Sequence, residues 1–311
     1  LAAYEFEKVD SSYRSSISVQ SSLVIHPIFS FGSPEQKDRY LPDLVSGKKI
    51  GCFGLTESEA GSDPSSMKTT YKKTSEGYVI NGIKNWITNA PIADIFIIWA
   101  LSEKREKDSL KGFILKKNLP GLSTSIIENK ASLKISPTGQ IILNDVLVPN
   151  ENVLPNTEGW KSVFSCLNKA RYGISWGVLG AASECWLIAK EYSENRIMFN
   201  KPLATKQLVQ KKLADMQTEI NIALSACLLT GRAIDNKKDT KIAISILKRN
   251  NCKKTIEVIS QSRDMLGANG LLEESHIMRH LVNLETVKTY EGTEDIHSLI
   301  LGKNQTNYSS F

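Results

Sequence analysis

Apolar positions change their repeat twice along the chain. Over residues 1–45 they recur at helical spacing, as Phe6, Val9, Tyr13 and Ile17, then Leu23, His26 and Pro27, then Tyr40, Leu41 and Leu44, which predicts helices joined by turns. Ser33, Pro34 and Gln36 fit the N-cap, first residue and capping-box partner of a helix ending near Gly47. Between Lys49 and Leu154 short β-branched and aromatic runs take over, at 67–72, 78–80, 85–88, 95–100, 112–115 and 140–148, and predict a mostly antiparallel β domain. Pro149, Asn150, Asn152 and Pro155 mark a linker. From Trp160 to about Leu301 the helical repeat returns. One stripe there is Leu208, Leu213, Met216, Ile220, Ala223, Leu224, Cys227 and Leu228, and a second helix over 241–266 follows a polar turn. The expected fold class is α+β, in the order helices, β domain, helical bundle.

Composition narrows this picture. The chain has 311 residues, 41% hydrophobic and 23% charged, which suits a globular protein with a sizeable core. Its 39 Lys and Arg against 33 Asp and Glu are scattered, and the mixed-charge stretch 104–117 reads as a solvated loop, so no nucleic-acid partner is expected. Five widely spaced cysteines without C-x-x-C fit neither a disulfide framework nor a zinc ribbon, and point to a reducing compartment. The most apolar run, 92–101, is interrupted by Asp94 and is about half of the ~20 residues a membrane span needs.

Among the motifs, neither G-x-G-x-x-G nor a P-loop occurs. Gly173, Gly177 and Gly180 are expected to let helices approach, and Gly267 and Gly270 to end a helix. His276 and His280 have the spacing of zinc ligands, but Ile277 stands where H-E-x-x-H needs Glu, so no metal is expected. His26 and His297 read as structural. Loop 51–70 gathers Thr56, Ser62, Ser65 and Ser66 beside Gly54 and Gly61, while Thr293 reads as the N-cap of a last helix with Glu291 just ahead. Glu7, Asp10 and Arg14 lie at i, i+3 and i+7. This spacing suits either an exposed Asp10–Arg14 pair or an anion-binding Arg14 held by Glu7, and does not choose between them.

Taken together, FEKVDSSYRSSISVQSSLVIHPI, GCFGLTESEAGSDPSSM, NKARYGISWGVLGA, QKKLADMQTEI, ILKRNN, RDMLGANG and TYEGTEDIHSLILG, in that order, resemble the acyl-CoA dehydrogenase family and most nearly its glutaryl-CoA branch. The resemblance implies residues 1–48 as the end of an N-terminal helical domain whose front is missing, 49–156 as a middle β domain, 157–303 as a C-terminal bundle, and 304–311 as a divergent tail. It implies FAD as cofactor and Glu291 as the base that takes the substrate α-proton, with hydrogen bonds to the thioester oxygen from the base's own N–H and the flavin ribityl chain. Flavin contacts are implied for Phe53, Leu55, Thr56, Ser62, Trp86, Ile87, Thr88, Thr293 and Asp295. Arg196, Gln207 and the turn Asp264, Met265, Leu266, Gly267 and Ala268 match groups that reach a neighbouring subunit's flavin, which implies an oligomer, expected to be a homotetramer. Acyl-CoA contacts are implied for Ser62, Phe164, Leu167, Asn168, Tyr290 and Gly292, with Arg171 as anchor. Glu7, Arg14 and Ser15 match the residues that bind the distal carboxylate of glutaryl-CoA.

The implied reaction is oxidation of glutaryl-CoA with decarboxylation to crotonyl-CoA and CO2, electrons passing to an electron-transfer flavoprotein. It is expected in the mitochondrial matrix of a eukaryote or the cytoplasm of a bacterium. Dehydrogenation of another short-chain acyl-CoA, or an inactive homologue acting only as a packing partner, stand as alternatives. Ala268 and Asn200 replace glycines usual in the family, which bears on flavin affinity.

Overall fold

The computed structural model describes residues 1–309, so the end of the tail segment 304–311 lies outside the described residues. In chain order the elements are α1 (Ala2–Val9), α2 (Ser11–Ser18), a wide π-helical turn (Val19–Ile25), α3 (His26–Phe31), α4 (Pro34–Val45), β1 (Gly51–Gly54), β2 (Thr70–Lys73), β3 (Tyr78–Thr88), β4 (Ile95–Ser102), β5 (Lys111–Lys116), β6 (Leu122–Ile126) and β7 (Thr138–Val148). There follow α5 (Trp160–Asn195), β8 (Ile197–Met198), β9 (Lys201–Pro202), α6 (Gln207–Asp235), α7 (Lys241–Met265), α8 (Ile277–Thr289) and α9 (Glu294–Thr306). The chain forms two compact units: a sheet unit of residues 15–130 and 134–170, and a helical unit of 1–14, 131–133 and 171 onward.

In the sheet unit seven strands run in the order β1-β4-β2-β3-β7-β6, with β5 also paired to β4. Pairing is antiparallel except β1–β4 and β2–β4, so the expected sheet is mostly right in sense. The separate runs 78–80 and 85–88 are one strand, β3, and β1 and β6 carry too little β-branched pattern to stand out. Strand β4 is apolar at successive positions because it is buried on both faces. Ile97 and Trp99 pack toward Val24, Ile28, Tyr40, Leu44 and Val163, while Phe96 and Ile98 pack with Ile80, Phe113 and Ile141. The Ser33–Gln36 capping box forms as expected and contributes about 1 kcal/mol to α4.

In the helical unit α5 to α8 surround Ile174, Val178, Cys185, Met216, Ile220, Cys227, Leu247, Ile259 and Leu284. The stripe read on α6 holds at Met216, Ile220, Ala223 and Cys227, whereas Leu208 and Leu228 are exposed. At the start of the chain the reading inverts: Phe6, Val9 and Tyr13 are exposed, and Glu7, Asp10, Ser11, Ser12 and Arg14 are buried. Nor do Glu7, Asp10 and Arg14 share one helix. Asp10 is extended, ends α1, and accepts from the Ser12 N–H at 2.7 Å to start α2. The Asp10–Arg14 pair is absent, since Asp10 turns instead to Arg279 and Asn283, each at 3.1 Å.

All five cysteines are buried and unbridged. Among the described residues no helix is long and apolar enough to cross a membrane, and no cluster of ligating side chains could hold a metal ion.

Helix α1 lies against α5 where Gly177 and Gly180 stand, as their spacing suggested. A Cβ on Gly180 would come within 2.0 Å of the Tyr4 carbonyl oxygen, a backbone atom with no room to yield. Gly180→Ala is therefore expected to cost about 1–3 kcal/mol, read as a lower urea midpoint. An unchanged midpoint would show that α1 does not pack this closely.

Candidate functional site

The turn between α8 and α9, Tyr290-Glu291-Gly292, carries the densest charge chemistry in the helical unit. Thr293 caps α9 through its hydroxyl, which accepts from the Ile296 N–H, so the chain must reverse in the residues just before it. Glu291 does this with φ +54, a left-handed conformation that costs a non-glycine residue about 1–2 kcal/mol, and Gly292 follows at φ +98. Two buried cations hold the strained turn. Arg171 of α5 donates from Nε to the Glu291 carbonyl at 2.7 Å, and Lys248 of α7 donates to the carbonyls of Lys288 and Gly292 at 2.9 and 2.6 Å. Arg171 is thus an interior brace on the turn.

The Glu291 carboxylate oxygen Oε2 is shielded from solvent and has no hydrogen-bond partner. Burial raises its pKa above the usual carboxylate value, while Arg14, Arg171 and Lys248 pull it back down. Arg14 is 1% exposed and binds Glu7 through Nε and, at 3.3 Å, through Nη2; the same Nη2 donates to the Tyr290 hydroxyl at 2.6 Å. Its third nitrogen, Nη1, is buried without a partner. Of the two readings of Arg14, the structure carries the one in which Glu7 holds it. Gly177 makes room for this pair, because a Cβ there would fall 2.0 Å from Glu7 Oε2. Ser15, next in the chain, is buried.

A second set of expected site residues lies in the sheet unit. After β1, whose Phe53 is buried with the following Leu55, the chain turns about Glu57, which is buried. Its carboxylate accepts from the Lys68 N–H at 2.6 Å, the Thr69 N–H at 2.9 Å and Lys84 Nζ at 2.9 Å, and Lys84 also donates to the Leu55 carbonyl at 3.0 Å. Burial works to raise the Glu57 carboxyl, but Lys84 and these donors hold it below the usual range; burial takes Lys84 itself down to about 8 against the pull of Glu57. The pair fixes the loop from below and leaves Thr56 half-buried and Ser62 exposed on it. A bulge in β3 between Lys84 and Ile87 turns Trp86 to φ +60 and leaves it 58% exposed, while Ile87 is buried and Thr88 half-buried. On α5, Phe164 is exposed, Leu167 buried and Asn168 half-buried.

A third set lies in the helical unit, where Arg196, Asp264, Met265, Leu266, Gly267 and Ala268 line a cavity of about 600 Å³ with Tyr192, Met198 and Lys212. Asp264 pairs with Lys212, and Gly267 takes φ +60 to turn the chain. Gln207, exposed, begins α6, and Asp295 is exposed in the first turn of α9.

Three residues of the site went unassigned in the sequence. Gly177 was read only as packing. Lys248 falls on the buried face of α7 with Ile244, Asn251, Cys252 and Thr255, and a cation on that face was the signal available. His297, read as isolated, is buried with Nε2 about where it would meet a Cβ on Gly292, at 3.0 Å.

Comparison with known proteins identifies the family. Family models described as acyl-CoA dehydrogenase N-terminal, middle and C-terminal domains match residues 1–48, 52–146 and 157–306. The crystal structure of glutaryl-CoA dehydrogenase from Mycobacterium smegmatis matches with TM-score 0.96 and 40% identity, over 100% of this chain and 79% of that one. A second structure of a glutaryl-CoA dehydrogenase from that organism is in complex with FADH2, with TM-score 0.96 and 39% identity over the same shares. The short-chain specific acyl-CoA dehydrogenase of Megasphaera elsdenii is 33% identical over 97% of this chain and 80% of its own length. The human mitochondrial short-chain enzyme is 34% identical over 92% and 70%.

The buried histidines set an acid limit on stability. Burial and the neighbouring Arg171 and Lys248 lower His297 to about 3, and burial and Arg279 lower His280 to about 4. Both would take up protons below about 6.5 once unfolded but not while folded, so the unfolded state binds more protons and stability falls as pH drops from 6.5 toward 4. Urea titrations across that range should show this slope, and His297→Gln should flatten it; a slope unchanged by the substitution counts against a neutral, buried His297.

Proposed function

Because the chain belongs to the acyl-CoA dehydrogenase family, an oxidoreductase family, we propose that it is an FAD-dependent glutaryl-CoA dehydrogenase that also decarboxylates its product. The observation that carries this reading is a pair of buried, unpartnered polar atoms in the helical unit, Glu291 Oε2 and Arg14 Nη1. One is a carboxylate oxygen with no donor, and the other is the one guanidinium nitrogen of Arg14 left over once Glu7 and Tyr290 have taken Nε and Nη2. A buried polar group left without a partner costs about 1–3 kcal/mol, so both atoms fit a ligand that supplies an acidic C–H and a carboxylate.

FAD is the expected cofactor, and in the sheet unit the residues present suit it: the exposed Trp86 ring on its bulge and the hydroxyl-bearing loop locked by Glu57 and Lys84. Bound there, FAD supplies a hydride acceptor for the substrate β-carbon. The remaining steps belong to the protein. Glu291 removes the α-proton, with burial raising its basicity and three interior cations favouring its ionised form. Arg14, held by Glu7 and Tyr290, orients the distal carboxylate through its free nitrogen. The oxidised glutaconyl thioester loses CO2, its electron pair delocalised toward the thioester, and Glu291 returns the proton to give crotonyl-CoA. Electrons leave to an electron-transfer flavoprotein, and a homotetramer completes the flavin contacts at Arg196, Gln207 and 264–268.

A second reading, oxidation of a monocarboxylic short-chain acyl-CoA, is favoured by the similarity to short-chain specific enzymes. Both readings require Glu291, so Glu291→Gln should abolish flavin bleaching by substrate and lower turnover about a thousandfold or more. Only the first requires Arg14. Exchanging the pair together, Glu7→Gln with Arg14→Gln, avoids stranding a buried carboxylate and should cut kcat/KM for glutaryl-CoA about a hundredfold while sparing butyryl-CoA. Equal losses on both substrates would leave the monocarboxylic reading standing.

A further inference from the structure

Lys248 belongs to none of the substrate or flavin contacts implied above, yet it is among the largest fully buried side chains, at 1% exposure in the middle of α7. Burying an ammonium is expensive, and the usual remedy is a carboxylate in contact. Lys248 has instead two backbone acceptors, the Lys288 carbonyl in the last turn of α8 and the Gly292 carbonyl just past Glu291. The first lies at the negative end of a helix dipole, which favours a cation. Together they bracket the residues 289–291. Arg171 takes the carbonyl between them, so the carbonyls of 288, 291 and 292 are each tied to an interior cation from α5 or α7.

This bracketing falls where the backbone most needs it. Glu291 at φ +54 and Gly292 at φ +98 would relax toward extended conformations if the carbonyls were released, and the carboxylate would swing with them. We propose that Lys248 is a positioning residue for the base: it holds the turn that aims the Glu291 carboxylate, and its ammonium stabilises that carboxylate across the turn.

The inference rests on the reading of Glu291 as base. The groups facing Glu291 are Arg14 from α2, Arg171 from α5, Lys248 and the Cys252 thiol from α7, its neighbour Tyr290, Glu7 from α1 behind Arg14, and His297 from α9; burial pushes the Cys252 thiol up to about 11, and His297 is uncharged at neutral pH. Removing Lys248 removes one of three cations that favour the ionised carboxylate, so Glu291 should hold its proton to higher pH.

The test uses the full chain loaded with FAD. Lys248→Met should lower kcat by about ten- to a hundredfold with little change in KM, and move the acid limb of the kcat profile to higher pH. Lys248→Arg should restore the acid limb toward that of the wild type even where turnover recovers only in part. Titration of 13C-carboxyl-labelled glutamate by NMR, with the Glu291 signal assigned by its loss in Glu291→Gln, should show the same upward move without relying on turnover. Should Lys248→Met not fold, Lys248→Gln, which can donate but carries no charge, must show the move. A variant that melts lower but keeps the wild-type pH profile and Glu291 titration would overturn the proposal and leave Lys248 a structural residue. Inactivity of the wild type toward every acyl-CoA, or full activity of Glu291→Gln, would instead overturn the reading of Glu291 as base.

Discussion

The buried carboxylate of Glu291 is pulled two ways, by desolvation and by three interior cations, and meeting both demands shapes the interior of the helical unit. Burial raises the Glu291 carboxyl, and Arg14, Arg171 and Lys248 pull the other way. Each cation must then be satisfied in turn, because an uncompensated buried charge costs several kcal/mol. Arg14 is met by Glu7 and Tyr290, Arg171 by the Glu291 carbonyl, and Lys248 by two more carbonyls of the same turn. One carboxylate therefore draws on α1, α2, α5, α7 and the α8–α9 turn. The requirement reaches as far as a missing methyl group, since Gly177 leaves the space that the Glu7 carboxylate occupies.

The sheet unit uses the same device on a different segment. The loop after β1 has little backbone pairing: a short Glu57–Ala60 bridge, the Asn85 N–H donated to the Thr56 carbonyl at 2.8 Å, and one 3-10 turn over Pro64–Ser66. Beneath it lies the buried Glu57–Lys84 pair, which gathers two backbone N–H groups and one carbonyl around two side chains. Loops that position chemistry carry more flexibility than the elements beside them, and an interior ion pair with all its partners in place is one way to remove it.

Much of the architecture was legible in the residues. Strand β4 announced itself as an unbroken apolar run, Ser33 and Gln36 marked the start of α4, and Thr293 marked the start of α9, because each signal is local and its physics acts within a few residues. The opening helices misled for the opposite reason. Phe6, Val9 and Tyr13 form a proper helical stripe, but what the core required at that place was charge, so Glu7 and Arg14 face inward. Asp10 ended a helix that spacing alone had continued, because its side chain starts α2 and meets Arg279 and Asn283, which lie far along the chain.

Sequence by itself determined the order of helices, strands and helices, the caps and turns that bound them, and through its long matching segments the family and the identity of Glu291 as base candidate. Tertiary structure decided which side of α1 and α2 is inside, that Glu7 rather than Asp10 holds Arg14, and that Gly177, Lys248 and His297 belong with Glu291. The division follows from the range of the forces. Helix periodicity, capping and turn propensity act within about one turn of chain, whereas the partner of a buried charge is whatever the fold brings within a few ångströms, and here those partners lie up to 276 residues apart.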